Sequence, residues 1–299
     1  MEPRVRPLGA LTGSPRPGVW HPGWLALPAV GYLIVFLAIP LLLLFTFGLV
    51  DIRGGRFVSD SWTLEHYARV LGDPFYYRIF LRTLWMGLGA TILCLIFGYP
   101  VAYLFTRVGP AVRQALLVMI LAPLLTNAVV RTFGWMIILG GQKGLINALL
   151  LRLGLIEEPV KILYTMNGVL IGLTQIQLPF MILPIIAALE GQDRSLHEAA
   201  AGLGATWAQT FFHVVVPLSL PGVLTGSALV FVISYTNFAV PALLGGGSFA
   251  VIPTFIFEQI SALLQWNNGA VLASLLLGTA MVMLWLFNRT SARLLRWTR

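Results

Sequence analysis

Two residue pairs have the types and spacing of helix-capping chemistry. Ser195 and Glu198 stand as S-x-x-E, and Thr206 and Gln209 as T-x-x-Q, in one polar stretch between two long apolar ones. In such a pair the hydroxyl accepts a backbone N–H at a helix start, and the longer side chain reaches back to the cap residue's own N–H. Gly204 lies between the pairs, where the first helix should end in a left-handed turn. Pro217 lacks an N–H and should stop the second helix. The spacing therefore predicts a folded helix–Gly–helix hairpin over residues 190–213. At the face of a membrane domain such a hairpin suits docking to another protein, although any ordered loop between spans can carry caps.

Reactive chemistry is absent. The chain has no G-x-x-x-x-G-K-[ST], so it cannot cradle ATP phosphates in the P-loop manner. It has no H-E-x-x-H, and His21, His66, His197 and His213 are scattered, so no metal site is expected. Cys94 is the single cysteine and cannot form an intrachain disulfide. Gly246-Gly-Ser248 lacks the glycine that would follow in a nucleophile elbow. No catalytic residue is expected, and no cofactor in this chain.

Polar residues embedded in apolar runs are the remaining candidates. Each is costly in hydrocarbon unless it faces protein or water, so each can line a solute path. They are Asn127 and Arg131 (beside Thr126), Gln175 and Gln177, and Tyr235 and Asn237 (beside Ser234). For the amides, hydrogen bonding between helices is an equal reading. For Arg131, the alternative is a snorkel out to the membrane interface. Glu258 is the one carboxylate near the fifth and sixth runs, placed to meet a cationic solute or to pair with a docked protein.

The elements that must position these residues are membrane helices. Of 299 residues, 58% are apolar and 10% charged, against roughly 25% charged in soluble domains. The net charge of +8 does not indicate nucleic acid, because basic residues sit at the ends of apolar runs rather than in one patch. A span needs about 20 apolar residues. Six are predicted, at about 24–50, 83–106, 114–139, 162–189, 214–244 and 268–288. The first is too long for a signal peptide and lacks a small-residue cleavage site, so it is read as retained. Residues 1–21 form a tail before a permease-like membrane domain at 22–290, and 291–299 form a basic tail. Arginines in both tails and in the turn after the second span place those segments in the cytoplasm, and with them the 190–213 hairpin. Between spans, one or two short helices are expected in 51–82, a short interfacial helix in 143–158, and a half-length helix in 248–268.

The hairpin also carries a family resemblance. Glu198-Ala199-Ala200, Gly204 six residues after the glutamate, Val214 and Pro217 resemble the EAA loop of ABC-importer permeases, with Val214 and Val216 for the usual Ile and Leu. Thr63-Leu-Glu-His-Tyr67, Asp73-Pro74, Gly98-Tyr-Pro100, Val130-Arg-Thr132, Leu178-Pro-Phe-Met-Ile-Leu-Pro184 and Pro241-Ala-Leu-Leu-Gly-Gly246 resemble the spermidine/putrescine-type subfamily. The resemblance implies an all-α polytopic membrane protein with the type I importer permease fold. It implies a second permease subunit, two cytoplasmic ATPase subunits that bind ATP and Mg, and a periplasmic or lipid-anchored substrate-binding protein. Membrane lipid surrounds the spans, and the solute is a small molecule, with polyamine the leading choice and other amines or opines open. Ser195, Glu198, Ala199, Ala200, Gly204 and Pro217 are then the ATPase-coupling residues. A secondary transporter or channel of six spans, working as an oligomer, would need coupling-ion acids in its spans or an inverted repeat, and neither is found.

Overall fold

The computed structural model describes residues 23–53, 56–141 and 144–294. The expected tail at 1–21 and most of the basic tail at 291–299 lie outside the described residues. The chain falls into two units, 1–43 and 44–299. In the first, residues 23–43 form most of helix α1 (Gly23–Leu49), an apolar helix that carries Pro28 and Pro40. No charged residue interrupts it, as a membrane span requires.

The second unit begins with the last turns of α1 and continues into an antiparallel hairpin, β1 (Val50–Arg53) and β2 (Arg56–Trp62). Only helices were expected in this loop, so the hairpin corrects that reading. Val50-Asp-Ile-Arg53 alternates apolar and polar residues, and Gly54-Gly55 follows it, which is a hairpin signal. Helix α2 (Glu65–Gly72) comes next, then α3 (Pro74–Arg107). The second span was expected from residue 83. It begins nine residues earlier because Asp73 caps it, accepting from Phe75 N–H at 2.8 Å, with Pro74 in the first turn.

The third span is not one straight helix. α4 (Pro110–Leu121) passes through a 3₁₀ turn at Ala122–Leu125, and α5 (Ala128–Leu139) leaves at 99° to it. Pro123 and the extended Thr126 break the ladder, and Asn127 restarts it by accepting from Val129 N–H at 2.8 Å. α6 (Leu145–Arg152) is followed by a loop tied down by buried Asn147, which donates to Gly141 O and Val160 O and accepts from Val160 N–H. α7 (Met166–Glu190) is the most enclosed span.

Beyond α7 come α8 (Arg194–Gly202) and α9 (Trp207–Thr210). α9 runs through a π turn at Phe211–Val215 into α10 (Val216–Tyr235). Pro217 therefore does not stop the second helix. The π turn pairs Val216 N–H with Phe211 O, and Pro217 falls in the first turn of α10, where no donor is required. The span expected at 214–244 runs from 207 to 235. It ends at Tyr235, and α11 (Ala239–Leu244) is a separate helix. α12 (Ile252–Phe257) continues into a π turn at Glu258–Ala262, and α13 (Trp266–Leu294) closes the described chain, six residues longer than the expected sixth span at its C-terminal end.

The core is built where α3, α7 and α10 meet. Cys94, Ala102 and Phe105 of α3 pack with Met181, Ile182 and Ile185 of α7 and Val230 of α10. A second cluster joins Met86 and Ala90 to Val169, Leu173, Val240 and Leu244. In hydrocarbon the hydrophobic effect gives little drive for such packing, so close backbone approach through small residues carries it.

Candidate functional site

The segment after α7 is an ordered, solvent-facing hairpin. Glu190 ends α7, and Gln192 Nε2 donates to Val215 O at 3.2 Å, tying the start of the segment to its end. α8 is capped by Asp193, whose carboxylate accepts from Ser195 N–H at 2.9 Å. Ser195 is thus inside the first turn and is not the cap, and Glu198 lies a turn further on, so the expected Ser195–Glu198 box is not formed. An ionised carboxylate two residues earlier is the stronger acceptor at a helix N-terminus. The Ser195 N–H and hydroxyl hold the Asp193 carboxyl below its ordinary range. The second box forms as expected. Thr206 Oγ1 accepts from Gln209 N–H at 3.3 Å, and Gln209 Oε1 accepts from Thr206 N–H at 2.8 Å. Between the helices Gly204 has φ +77°, the left-handed turn.

Aromatic rings fix this hairpin to α3. Trp207 stacks on Phe211 with centroids 5.5 Å apart, and Phe211 meets the edge of Tyr103 at 5.1 Å and of Tyr99 at 6.0 Å. The opposite side is open. Glu198 and Ala199 are exposed and Ala200 partly so. Leu203 is 89% exposed and Trp207 69%. Apolar side chains are thus held out on capped helices.

Beneath α8 lies a cavity of about 570 Å³ lined by Tyr103, Thr106 and Arg107 of α3, Leu189, Gln192, Glu198 and Val215. Arg107 folds back over the Tyr103 ring, 5.1 Å from its centroid. Glu198 thus opens onto a space that also holds a cation, and α8 is not packed solidly on the spans. Sequence reasoning missed Tyr103, Arg107 and Gln192. The aromatic-then-arginine pair four apart at the end of a span was the available signal.

Five of the six pathway candidates within the spans are given structural partners, Arg131 being the exception. Gln177 is fully buried and donates to Ser234 Oγ at 2.6 Å, joining α7 to α10, while its Oε1 has no partner among the described residues. Gln175 Oε1 accepts from Trp135 Nε1 at 3.4 Å. Tyr235 is buried and its hydroxyl meets Thr279 Oγ1 of α13 at 2.8 Å. Asn127 caps α5, and Asn237 Oδ1 accepts from Val240 N–H at 3.0 Å in the first turn of α11. Arg131 is half-buried, and its Nε and Nη1 are shielded from water without a hydrogen-bond partner among the described residues. Glu258 is exposed at the start of its π turn.

Residues 94–296 match the family described as "Binding-protein-dependent transport system inner membrane component". The chain belongs to this family. It is a multi-pass protein of the bacterial inner membrane, the permease component of an ABC importer. It is 35% identical over 263 residues to the spermidine/putrescine transport system permease protein PotB of Escherichia coli K12, covering 87% of this chain and 95% of that one. To the protein of the same name from Haemophilus influenzae it is 36% identical over 242 residues, covering 81% and 84%. A crystal structure of a bacterial ABC transporter that imports the acidic polysaccharide alginate contains a chain of the same fold. The TM-score is 0.72 at 19% identity, with 92% of this chain and 96% of that one covered.

Proposed function

We propose that this permease component carries a polyamine of the spermidine/putrescine kind, delivered by an external binding protein, across half of a pathway completed by a second permease subunit. The extent of identity to the two PotB proteins supports the substrate class. ATP and Mg are bound by two separate cytoplasmic ATPase subunits, which grip the α8–α9 hairpin. The exposed Glu198, Ala199, Leu203 and Trp207, with the partly exposed Ala200, on capped helices are the observation that carries the docking role. The hairpin and both termini face the cytoplasm on the arginine distribution. Small side chains permit close approach, and Glu198 supplies one charge for a basic group of the ATPase.

Ligand choice rests with the binding protein. The spans hold Arg131 and no carboxylate in their interior, so a dication has no counter-charge there, and an unpaired charge in low dielectric is costly. Neutral amides suit a passage that a solute leaves as readily as it enters. The test is uptake of labelled spermidine and putrescine by the reconstituted importer, with a competition panel of amines. Alanine at Asn127, Gln175, Gln177, Tyr235 and Asn237 should lower the rate and leave the order of preference unchanged. A reordered preference with the binding protein unchanged would place selection in this chain. Glu198→Gln should assemble yet lose ATP-coupled uptake, and normal coupling would remove the ionic role.

A further inference from the structure

The turn between α3 and α4 and the end of α7 enclose a second cavity, of about 400 Å³. Its walls are apolar: Phe105 and Ile186 are buried, and Leu183 and Leu117 complete them. Leu117 is 37% exposed, so the groove opens along the side of α4. At its mouth Arg113 Nη2 donates to Glu190 Oε1, and the guanidinium carbon sits 4.8 Å from the Phe105 ring centroid. Both charged side chains remain open to solvent, at 49% and 38%. α4 begins at Pro110 and α7 ends at Glu190, so the pair lies at the ends of two membrane helices, where hydrocarbon gives way to lipid headgroups.

We propose that this groove holds one phospholipid with an ethanolamine headgroup. The Arg113–Glu190 bond uses one guanidinium nitrogen and one carboxylate oxygen, and neither group has a second hydrogen-bonding partner among the described residues. The remaining guanidinium N–H groups donate to the phosphate, and the second carboxylate oxygen accepts from the primary ammonium. An adjacent cation and anion thus meet the adjacent anion and cation of a zwitterionic headgroup. One acyl chain lies along Phe105, Leu117, Leu183 and Ile186. A phosphatidylglycerol headgroup offers Arg113 the same phosphate but Glu190 only neutral hydroxyls, with no ammonium to compensate the carboxylate. A choline headgroup carries the charge but has no N–H to donate. The recognition is therefore of the primary ammonium beside the phosphate and not of negative charge alone.

The assembled transporter, purified in detergent and titrated with phosphatidylethanolamine, phosphatidylcholine and phosphatidylglycerol of matched chains, is to be read by native mass spectrometry. The ethanolamine lipid should be retained about tenfold better than either other lipid, the worth of one charge-assisted hydrogen bond. Glu190→Gln, which removes the charge, should bring ethanolamine and choline lipids to within about twofold of each other. Leu117→Trp fills the groove while leaving the ion pair intact, and should lower retention of the ethanolamine lipid. Equal retention of the three lipids by the unaltered transporter would overturn the proposal. So would unchanged retention in Leu117→Trp, or no lipid retained at all, the result expected if a helix of the second permease fills the groove.

Discussion

At Gly204 the backbone alone sets what the residue must be. Its φ of +77° lies in the left-handed region, and a Cβ built there meets nothing within 4 Å. A substitution is therefore opposed by conformation and not by packing, at roughly 1 kcal/mol for alanine. Gly204→Ala should raise amide hydrogen exchange across residues 200–210 by about fivefold, while membrane insertion is unchanged. Gly204→Asn should be milder, because asparagine tolerates this conformation. Equal effects of the two would mean that a neighbour, and not φ, makes the demand. Arg131 is the converse case, a residue set by its surroundings. Its shielded nitrogens lack acceptors among the described residues, which suits a residue completed by another subunit.

α8 is capped by Asp193, and that assignment has a direct test. Asp193→Ala removes the acceptor of the Ser195 N–H, whereas Ser195→Ala keeps that N–H and its bond. Exchange at the Ser195 and Leu196 amides should rise in the first variant and stay near the unaltered rate in the second; equal rises would return the cap to Ser195. The Asp193 carboxyl is held below its ordinary range, so the cap stabilises the helix fully above the unfolded carboxylate value and is lost as pH falls through the depressed one. The same amides should be insensitive to pH near neutrality and open only in strong acid. The cap was misplaced from sequence because S-x-x-E is a pattern of side chains, and Asp193 offered a stronger acceptor two residues earlier. Charge-free runs told where helices lie, because hydrocarbon excludes charge whatever the packing. They did not tell where helices break. Thr126-Asn127 and Asn237 stand in apolar runs as cap residues at helix starts, which composition cannot separate from polar groups lining a path. Pro217 signalled a stop, and the π turn before it removed the need for its donor. The paired EAA-type hairpin was legible because caps, glycine and a family pattern coincide there; the cavity behind it was not, since Tyr103 and Arg107 reach it from a helix about ninety residues away in sequence.

For the second unit as a whole, the interlock of α3, α7 and α10 depends on where side chains are absent. Gly222 and Gly226 stand four apart on one face of α10, the small-xxx-small spacing of membrane helix pairs. A Cβ at Gly222 would lie 2.4 Å from Pro184 O and 2.6 Å from the Ala188 Cβ, both on α7. At Gly226 the nearest atom is Met181 Sδ at 2.9 Å, the far end of a flexible side chain, with Met181 backbone just beyond at 3.1 Å. Gly278 of α13 would meet nothing within 4 Å. The three glycines therefore sort by what must move. Gly222→Ala has to push two helix backbones apart and should cost the upper part of the roughly 1–3 kcal/mol seen for overpacking. Gly226→Ala should cost less, because methionine can swing away before backbone must. Gly278→Ala should be neutral or slightly stabilising, since alanine is the better helix former by about 1 kcal/mol in an exposed helix. Unfolding of the purified chain in mixed micelles would rank the three. The order also bears on transport. Gln177 and Ser234 bridge α7 and α10 on the same interface, so a chain loosened at Gly222 should lose uptake along with stability. A Gly222→Ala chain as stable as Gly278→Ala would mean that α7 and α10 do not approach this closely in the membrane, and that the helix core is organised around some other contact.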